Sequence, residues 1–207
     1  MTADGRTVII TGATSGVGRA TAAALAGSGA RVILAVRNVE KGAVVAADLL
    51  ARYPGARVEV RSLDLADLAS VRDFGRDWTG PVDVVINNAG VMSTRREETA
   101  DGFELQLGTN HLGHFLLTTL LEPVITDRVV VVASDAHRWA HLDLADPHWQ
   151  RRRYRAFGAY GQSKLANLLF TLELDRRWRG SGRRALAVHP GWVQSDLGLG
   201  QHGFAAT

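Results

Sequence analysis

The sequence contains no cysteine among its 207 residues. A disulfide framework and thiolate chemistry are therefore excluded, although this absence says little about the redox compartment. No apolar run approaches the roughly 18 to 20 residues that a membrane-spanning helix needs. The first residues, MTADGRTVIITG, contain neither a charged leader segment nor a cleavage site. We therefore expect a protein without a membrane span that works in the cytoplasm.

The sequence also lacks a large excess of one charge, because it contains 24 Lys and Arg and 21 Asp and Glu, for a net charge of +3. The densest basic run is QRRRYR at 150–155, and the other arginines are scattered. Scattered cations are typical of a solvated surface, whereas a nucleic-acid interface gathers them on one face. We therefore expect no nucleic-acid partner, with phosphate or nucleic-acid binding by this run as the less favoured alternative.

Short apolar runs alternate with stretches of helical period along the chain. The runs predict six strands, at 7–11, 31–36, 57–63, 82–87, 128–134 and 185–189. The stretches between them predict helices at about 16–27, 39–52, 67–78, 101–122 and 157–179. Continuously apolar strands indicate burial on both faces, and their alternation with helices indicates right-handed crossovers in a parallel sheet. The sequence therefore predicts one α/β domain over residues 1–207, a doubly wound, mostly parallel sheet between two helical layers, as in the Rossmann fold.

A glycine-rich segment, TGATSGVG, joins the first predicted strand to the first predicted helix. Gly12, Gly16 and Gly18 would allow a tight turn, a close approach of backbone N–H groups to a pyrophosphate, and close packing of the helix on the sheet. The position between a strand and a helix makes this motif more specific than three glycines alone. The segment therefore predicts a dinucleotide site, and a glycine-rich turn without a ligand is the alternative.

The second predicted strand ends without an acidic residue. In dinucleotide-binding folds an acid at this place accepts from the 2′-hydroxyl of NAD, whereas an arginine meets the 2′-phosphate of NADP. Arg37 stands here and could donate charge-assisted hydrogen bonds to that phosphate, so we expect NADP(H) to be preferred over NAD(H). The alternative is an exposed loop arginine. Asp64, after the third strand, could accept from the adenine amino group or cap the next helix.

Lysine is scarce, because Lys41 and Lys164 are the only two among 24 basic residues. In YGQSK, Tyr160 and Lys164 are four residues apart, which places them on one face of the predicted helix. Lowering the pKa of a phenol from about 10 by about 3 units requires about 4 kcal/mol. An ammonium group about 4 Å away supplies a free energy of that order at an effective dielectric constant near 20. The spacing predicts an acid–base pair, and an ordinary amphipathic helix with a lysine reaching solvent is the alternative.

Six motifs stand in the order found in the short-chain dehydrogenases/reductases: TGATSGVG, NNAG at 87–90, NHLGHF at 110–115, Ser134, YGQSK, and HPGWVQS at 189–195. The sequence resembles this family over nearly its whole length. The segments NNAGVM, DGFELQLGTNHLGHFLLTTLL and YGQSKLANLLF resemble the branch that holds the retinol dehydrogenases and the protochlorophyllide reductases. The latter enzymes rely on a cysteine near the site, so its absence disfavours their light-driven reaction.

The resemblance implies an oxidoreductase that interconverts a carbonyl and an alcohol by hydride transfer. It implies that Tyr160 is the general acid or base and that Lys164 lowers its pKa and binds the nicotinamide ribose. Ser134 would hydrogen-bond the substrate oxygen, and Asn110 would hold a water that links Lys164 to solvent. Taken alone, Ser134 could simply end a strand, and Asn110 could be a polar helix residue bonded to the backbone.

The expected cofactor-binding residues come from four of these motifs and from the segments that follow the second and third predicted strands. They are Gly12, Ser15, Gly16, Val17, Gly18, Arg37, Asp64, Leu65, Asn88, Ala89, Gly90, Tyr160, Lys164, Pro190, Val193 and Ser195. The histidines at 111, 114 and 137 show no spacing typical of metal ligands, so we expect no metal site.

Members of this branch extend well beyond the point where this sequence ends, at Thr207. We therefore expect a chain that lacks the last strand and the substrate lid, whether as part of a longer chain or as a minimal member. A dinucleotide-binding sensor or scaffold without catalysis is the alternative function, disfavoured because such sensors commonly lose the tyrosine and the lysine. The expected partners are a small-molecule substrate and, by resemblance, a homodimer or homotetramer paired through helices 101–122 and 157–179.

Overall fold

The computed structural model describes residues 3–191. The strands are β1 (Thr7–Thr11), β2 (Arg31–Val36), β3 (Arg57–Ser62), β4 (Val82–Asn87), β5 (Ile125–Val132) and β6 (Arg184–Val188). The α-helices are α1 (Gly16–Gly27), α2 (Val39–Arg52), α3 (Leu68–Arg76), α4 (Leu105–Leu107), α5 (Gly113–Leu121) and α6 (Ala156–Arg177). A π-helix (Gly108–Leu112) joins α4 to α5, and 3₁₀-helices cover Glu122–Val124 and Asp135–Trp139.

The six strands form one sheet in the order β3-β2-β1-β4-β5-β6, and every neighbouring pair is parallel. Val8 of β1 pairs with Val32 of β2 on one side and with Val84 of β4 on the other. The chain therefore starts in the middle of the sheet, builds outward, and then crosses back to build the other half. The crevice between the carboxyl ends of β1 and β4 is where doubly wound folds bind their ligands. The predicted doubly wound Rossmann fold is confirmed.

Neighbouring residues in a strand point to opposite faces of the sheet, and in β1 and β2 the residues on both faces are buried. On one face, Ile9 and Ile33 pack in a cluster that α3, α5 and α6 complete with residues such as Leu117. On the other face, Ile10 and Leu34 pack beneath α1 and α2. This double burial accounts for the continuous apolar runs of the strand sequences.

Two predicted elements differ from the observed ones. The helix predicted at 101–122 begins only after Glu104, whose carboxylate accepts from the backbone N–H groups of Gln106 (3.0 Å) and Leu107 (2.7 Å) and so caps its first turn. The fifth strand, predicted at 128–134, spans Ile125–Val132, so it begins three residues earlier and ends two residues earlier than predicted. Ser134 is therefore not its last residue: it precedes the 3₁₀-helix Asp135–Trp139, where its hydroxyl accepts from the N–H of Ala136 at 3.2 Å.

The remaining boundaries agree with the predictions to within two residues. The third strand ends at Ser62, one residue early, and the sixth at Val188. The third helix begins at Leu68, because the carboxylate of Asp67 accepts from the N–H of Ala69 at 2.8 Å. Between residues 3 and 191, no helix has the length and apolar character required to cross a bilayer.

Candidate active site

A cleft with a volume of about 1120 Å³ opens at the carboxyl ends of the strands. Its size exceeds that of most small-molecule pockets, which occupy roughly 300–1,000 Å³. Most of the predicted site residues line it, namely Gly12, Ser15, Gly16, Val17, Gly18, Arg37, Asp64, Leu65, Asn88, Ala89, Gly90, Ser134, Tyr160, Lys164 and Pro190. Val193 and Ser195 lie outside the described residues. Asn110 is described but buried, and it does not line the cleft.

The glycine-rich turn leaves no room for side chains at two of its positions. Gly12 has a φ of +67°, and a Cβ atom there would lie 2.8 Å from the Cα of Ala89. A Cβ atom on Gly18 would lie 2.4 Å from the carbonyl oxygen of Gly12. Glycine therefore lets the turn, the exit of β4 and the start of α1 meet closely. Such a cradle fits the pyrophosphate of a dinucleotide at a helix N-terminus.

The exits of β1 and β4 are joined by the side chain of Thr11. Its Oγ1 accepts from the backbone N–H groups of Asn88 and Ala89, both at 2.9 Å. The side-chain amide of Asn88 donates in turn to the carbonyl of Thr11 at 2.8 Å. The NNAG segment thus lies against the glycine-rich turn, and the two segments form one wall of the cleft.

Helix α6 presents Tyr160 and Lys164 to the same cleft, one turn apart. Both are buried, with exposed fractions of 7% and 3%. The Nζ of Lys164 lies 5.6 Å from the ring centroid of Tyr160 and donates to the carbonyl of Val132 at 2.9 Å. The 3₁₀-helix after Ser134 packs directly on α6, because a Cβ atom on Gly161 would lie 2.6 Å from the carbonyl oxygen of Ala136. This packing brings Ser134 beside Tyr160.

The pKa values of this pair differ from the sequence-based expectation. Burial raises the pKa of Tyr160 above its ordinary value, and the neighbouring hydroxyl of Ser134 opposes this by favouring the ionised phenol. Burial also lowers the pKa of Lys164 to about 8. The expectation that Lys164 lowers the pKa of Tyr160 is therefore wrong for this structure. Withdrawing both groups from water disfavours both charged forms, and the ammonium group is directed at the carbonyl of Val132.

Asn110 lies in the π-helix behind the cleft wall. Its side-chain oxygen accepts from the N–H of Val91 at 2.7 Å. Its side-chain nitrogen donates to the carbonyl of Val91 and to the hydroxyl of Ser163, both at 3.0 Å. Asn110 thus holds the residue that follows Gly90 and connects it to α6. The water link from Asn110 to Lys164 stays a prediction.

Two exposed cations, Arg37 and Lys41, line the cleft where the chain leaves β2. The sequence interpretation had named only Arg37, although the scarcity of lysine and the spacing of four residues were available signals. Asp64 does not cap the helix that follows it, since Asp67 does so. The carboxylate of Asp64 instead accepts from the N–H of Ala66 at 2.9 Å, in a turn that lines the cleft.

Two aromatic side chains line the cleft near Ser134 and Tyr160. The sequence interpretation did not identify them. Trp139 and Phe157 lie with their ring centroids 6.3 Å apart. They remain 72% and 51% exposed. Their separation of eighteen positions in the sequence gives no signal that they meet, because the packing of the 3₁₀-helix on α6 brings them together.

Part of the basic run at 150–155 is engaged within the fold. The guanidinium of Arg152 lies 3.7 Å from the ring centroid of Trp149 and donates to the side-chain oxygen of Gln162 at 2.8 Å. Among residues 3–191, no group of three or more His, Asp or Glu side chains is arranged to hold a metal ion.

The model of the short chain dehydrogenase family matches residues 6–143. The protein belongs to this family. The chain is 46% identical over 211 residues to retinol dehydrogenase 13 of Homo sapiens, an alignment that covers 98% of this chain and 64% of that protein. The chain therefore spans less than two thirds of that relative's length. The resemblance to the retinol-dehydrogenase-like branch is confirmed.

Solved structures agree with this assignment. The chain superposes with a TM-score of 0.86 on an uncharacterised protein from Mycobacterium paratuberculosis, at 54% identity over 92% of this chain and 70% of that one. It also superposes, with a TM-score of 0.76 and 25% identity, on a short chain dehydrogenase from Burkholderia cenocepacia in complex with NADP. That second match covers 94% of this chain and 77% of the other.

Proposed function

We propose that this short-chain dehydrogenase is an NAD(P)-dependent oxidoreductase that interconverts a carbonyl and an alcohol by hydride transfer. One observation carries the proposal: Ser134, Tyr160 and Lys164 line the same cleft as the glycine-rich turn. The cleft therefore contains both a turn that fits a dinucleotide and three side chains suited to proton transfer. A binding protein without catalysis would have no use for that trio.

A nicotinamide cofactor held in this cleft would supply or accept the hydride. During reduction, the phenol of Tyr160 donates its proton to the substrate oxygen, and its raised pKa keeps that proton available at neutral pH. The hydroxyl of Ser134 donates a hydrogen bond to the same oxygen as negative charge develops on it. Lys164, with a pKa of about 8, is mostly protonated at neutral pH and would donate to the nicotinamide ribose.

The preference for NADP(H) over NAD(H) is part of this proposal. Arg37 is supported by Lys41, which lines the same end of the cleft. Two cations, one of them a planar guanidinium, suit the dianionic 2′-phosphate of NADP better than the neutral 2′-hydroxyl of NAD. The bound NADP of the Burkholderia cenocepacia relative is consistent with this preference.

The proposed substrate is a moderately lipophilic aldehyde or ketone, or the corresponding alcohol. Trp139, Phe157 and Met92 line the cleft together with the catalytic trio and offer apolar surface to a substrate. The name of the relative retinol dehydrogenase 13 is consistent with an apolar substrate.

The decisive experiment measures binding and turnover on the same preparation of the full chain. We expect NADPH oxidation with a panel of aldehydes and ketones. In Tyr160→Phe, turnover should fall about 10²- to 10⁴-fold, the range typical of a lost general acid, while NADPH still binds. Tyr53→Phe is the matched control, since Tyr53 packs against Gly27 and does not line the cleft. Tight NADPH binding without turnover across the panel would favour the sensor or scaffold instead.

We also propose that the enzyme forms a homodimer or homotetramer through the outer faces of α5 and α6. Large apolar side chains are exposed there, namely Phe115, Leu120, Leu169 and Leu172. A second copy would cover them and pair the two helices of each chain. Light scattering should report a multiple of the chain mass, and Leu172→Glu should reduce it to that of one chain. A monomeric wild-type protein at micromolar concentration would exclude the proposal.

The single-domain organisation over residues 1–207 and the cytoplasmic location remain proposals as well. One cooperative unfolding transition and uniform resistance to limited proteolysis would support the first. Fractionation of the cells that produce the protein would decide the second.

A further inference from the structure

The imidazole of His114, on α5, is 2% exposed and has no role in the proposed mechanism. Its Nδ1 lies 3.0 Å from the carbonyl oxygen of Asn110. Its Nε2 lies 2.8 Å from the hydroxyl oxygen of Thr11. A carbonyl can only accept, so Nδ1 carries a hydrogen. Burial lowers the pKa of His114 to about 4, so the ring is neutral at neutral pH and Nε2 is left as an acceptor.

This tautomer determines the direction of the Thr11 hydroxyl. The hydrogen of Thr11 Oγ1 is donated to His114 Nε2 at 2.8 Å, a better distance than the 3.4 Å to the alternative acceptor, the carbonyl of Ile86. Both lone pairs of Oγ1 then remain for the N–H groups of Asn88 and Ala89. If Nε2 carried the hydrogen instead, Thr11 would have to accept from three donors with two lone pairs.

The other end of the imidazole holds the second support of the same segment. The backbone carbonyl of Asn110 accepts a hydrogen bond from His114. The side chain of Asn110 forms hydrogen bonds with both the N–H and the carbonyl of Val91. Residues 88–91 are thus held by Thr11 at one end and by Asn110 at the other. His114 contacts both Thr11 and Asn110. Residues 88–91 form a wall of the cleft.

We propose that His114 is a positioning residue for the cofactor. Its neutral imidazole, in one fixed tautomer, orients the hydroxyl of Thr11 and connects Thr11 to Asn110. Thr11 and Asn110 together hold residues 88–91 in the conformation that binds the dinucleotide. The inference rests on the proposed function only in taking a nicotinamide dinucleotide as the ligand of the cleft. Binding, rather than turnover, is therefore the quantity that tests it.

The first test replaces the imidazole by groups that keep part or none of its hydrogen bonding. His114→Phe fills the space without either hydrogen bond, and we expect the Kd for NADPH to rise about tenfold, the equivalent of one lost hydrogen bond. His114→Gln can still place an acceptor near Thr11, so it should recover most of the affinity. His141→Phe is the control: His141 is exposed and does not line the cleft, and this change should leave the Kd unaltered.

A double-mutant cycle tests the coupling itself. Thr11→Val and His114→Phe should each raise the Kd for NADPH, and together they should raise it no further than Thr11→Val alone. Additive effects would overturn the proposal. So would an unchanged Kd in His114→Phe combined with a lower unfolding temperature, because that result indicates a purely structural histidine.

The wild-type protein provides a further readout should the variants fail to fold. Nitrogen-15 NMR of the imidazole should show the hydrogen on Nδ1 at neutral pH, and a hydrogen on Nε2 or a charged ring would refute the proposal. If the wild-type protein binds NADPH but turns over no substrate, the proposed oxidoreductase activity is contradicted and this inference is unaffected. Failure to bind either dinucleotide defeats both.

Discussion

The ammonium group of Lys164 donates a hydrogen bond of 2.9 Å to the backbone carbonyl of Val132, the last residue of β5. This contact ties α6 to the strand that leads to Ser134. It also holds a cation in a place from which water is largely excluded. The same burial that positions the proposed acid–base group therefore makes its charge costly, and this cost can be measured.

Lys164→Met should make the protein more stable at pH 7. The folded state releases the Lys164 proton near pH 8, whereas the unfolded chain holds it up to about 10.5. At neutral pH the folded state thus carries an unfavourable charge, worth up to about 3 kcal/mol at 1.36 kcal/mol per unit of pKa. Between pH 8 and 10.5 the unfolded state binds more protons, so the free energy of unfolding of the wild type should rise with pH.

Denaturant unfolding at pH 7, 9 and 10.5 checks this expectation. The difference in the free energy of unfolding between Lys164→Met and the wild type should be greatest at pH 7. It should decrease as the pH rises to 10.5. Lys41→Met changes an exposed lysine and serves as the control. An advantage that is constant with pH, or absent at pH 7, would contradict a buried charge at Lys164.

Cofactor selectivity should depend on Arg37 and Lys41 together. Arg37→Asp replaces the cation proposed to bind the 2′-phosphate by an acceptor for the 2′-hydroxyl. The ratio of NADPH affinity to NADH affinity should therefore fall by about a hundredfold, because two charge-assisted contacts at roughly 1.5 kcal/mol each are lost. Lys41→Ala should lower the same ratio by about tenfold. Fluorescence titration with both cofactors measures it.

The matched control for charge is Arg72→Asp, which makes the same change in net charge at an exposed residue outside the cleft. It should leave the ratio of affinities unaltered. If Arg37→Asp also leaves it unaltered, the cations at this end of the cleft do not bind the 2′-phosphate.

Substrate preference should depend on Trp139. Its indole is 72% exposed beside Phe157, so a lipophilic carbonyl could bury it on binding. Trp139→Ala should raise the KM for a long-chain or aromatic aldehyde about tenfold, since roughly 50 Å² of lost apolar contact at 25 cal/mol per Å² corresponds to that factor. The KM for a small polar aldehyde should change little.

Leu144→Ala is the control for this prediction, because Leu144 is 78% exposed and does not line the cleft. Steady-state kinetics on matched apolar and polar aldehydes provide the comparison. Equal effects of Trp139→Ala on both substrate types would show that the indole does not select for apolarity.

Gly12→Ala should damage the protein more than Gly55→Ala. Both glycines have positive φ, +67° and +85°, so alanine is strained at each by roughly 1–2 kcal/mol. At Gly12 the added Cβ also meets the Cα of Ala89 at 2.8 Å, whereas around Gly55 nothing lies within 4 Å. Overpacking adds about 1–3 kcal/mol at Gly12 and displaces the wall of the cleft.

The free energy of unfolding and the Kd for NADPH of the two variants distinguish these effects. Gly55→Ala should lose a little stability and keep its affinity for NADPH, whereas Gly12→Ala should lose both. Equal losses would mean that the approach of Ala89 to the turn is not needed.

Features that depend on near neighbours in the chain could be predicted from the residues alone. The alternation of apolar strands and helices follows from residues two to four positions apart, and it predicted the doubly wound sheet. The glycine-rich turn and the one-turn spacing of Tyr160 and Lys164 on α6 are equally local. Both were predicted, and both segments line the cleft.

Features that depend on contacts between distant segments became visible only in the folded structure. Packing of Ala136 against Gly161 places Ser134 beside Tyr160 and Trp139 beside Phe157. The direction of the Tyr160 pKa shift was missed, because sequence spacing indicates the neighbouring charge but not the loss of water. Burial is a property of the whole packed chain, and here it raises the pKa of Tyr160 by more than the hydroxyl of Ser134 lowers it.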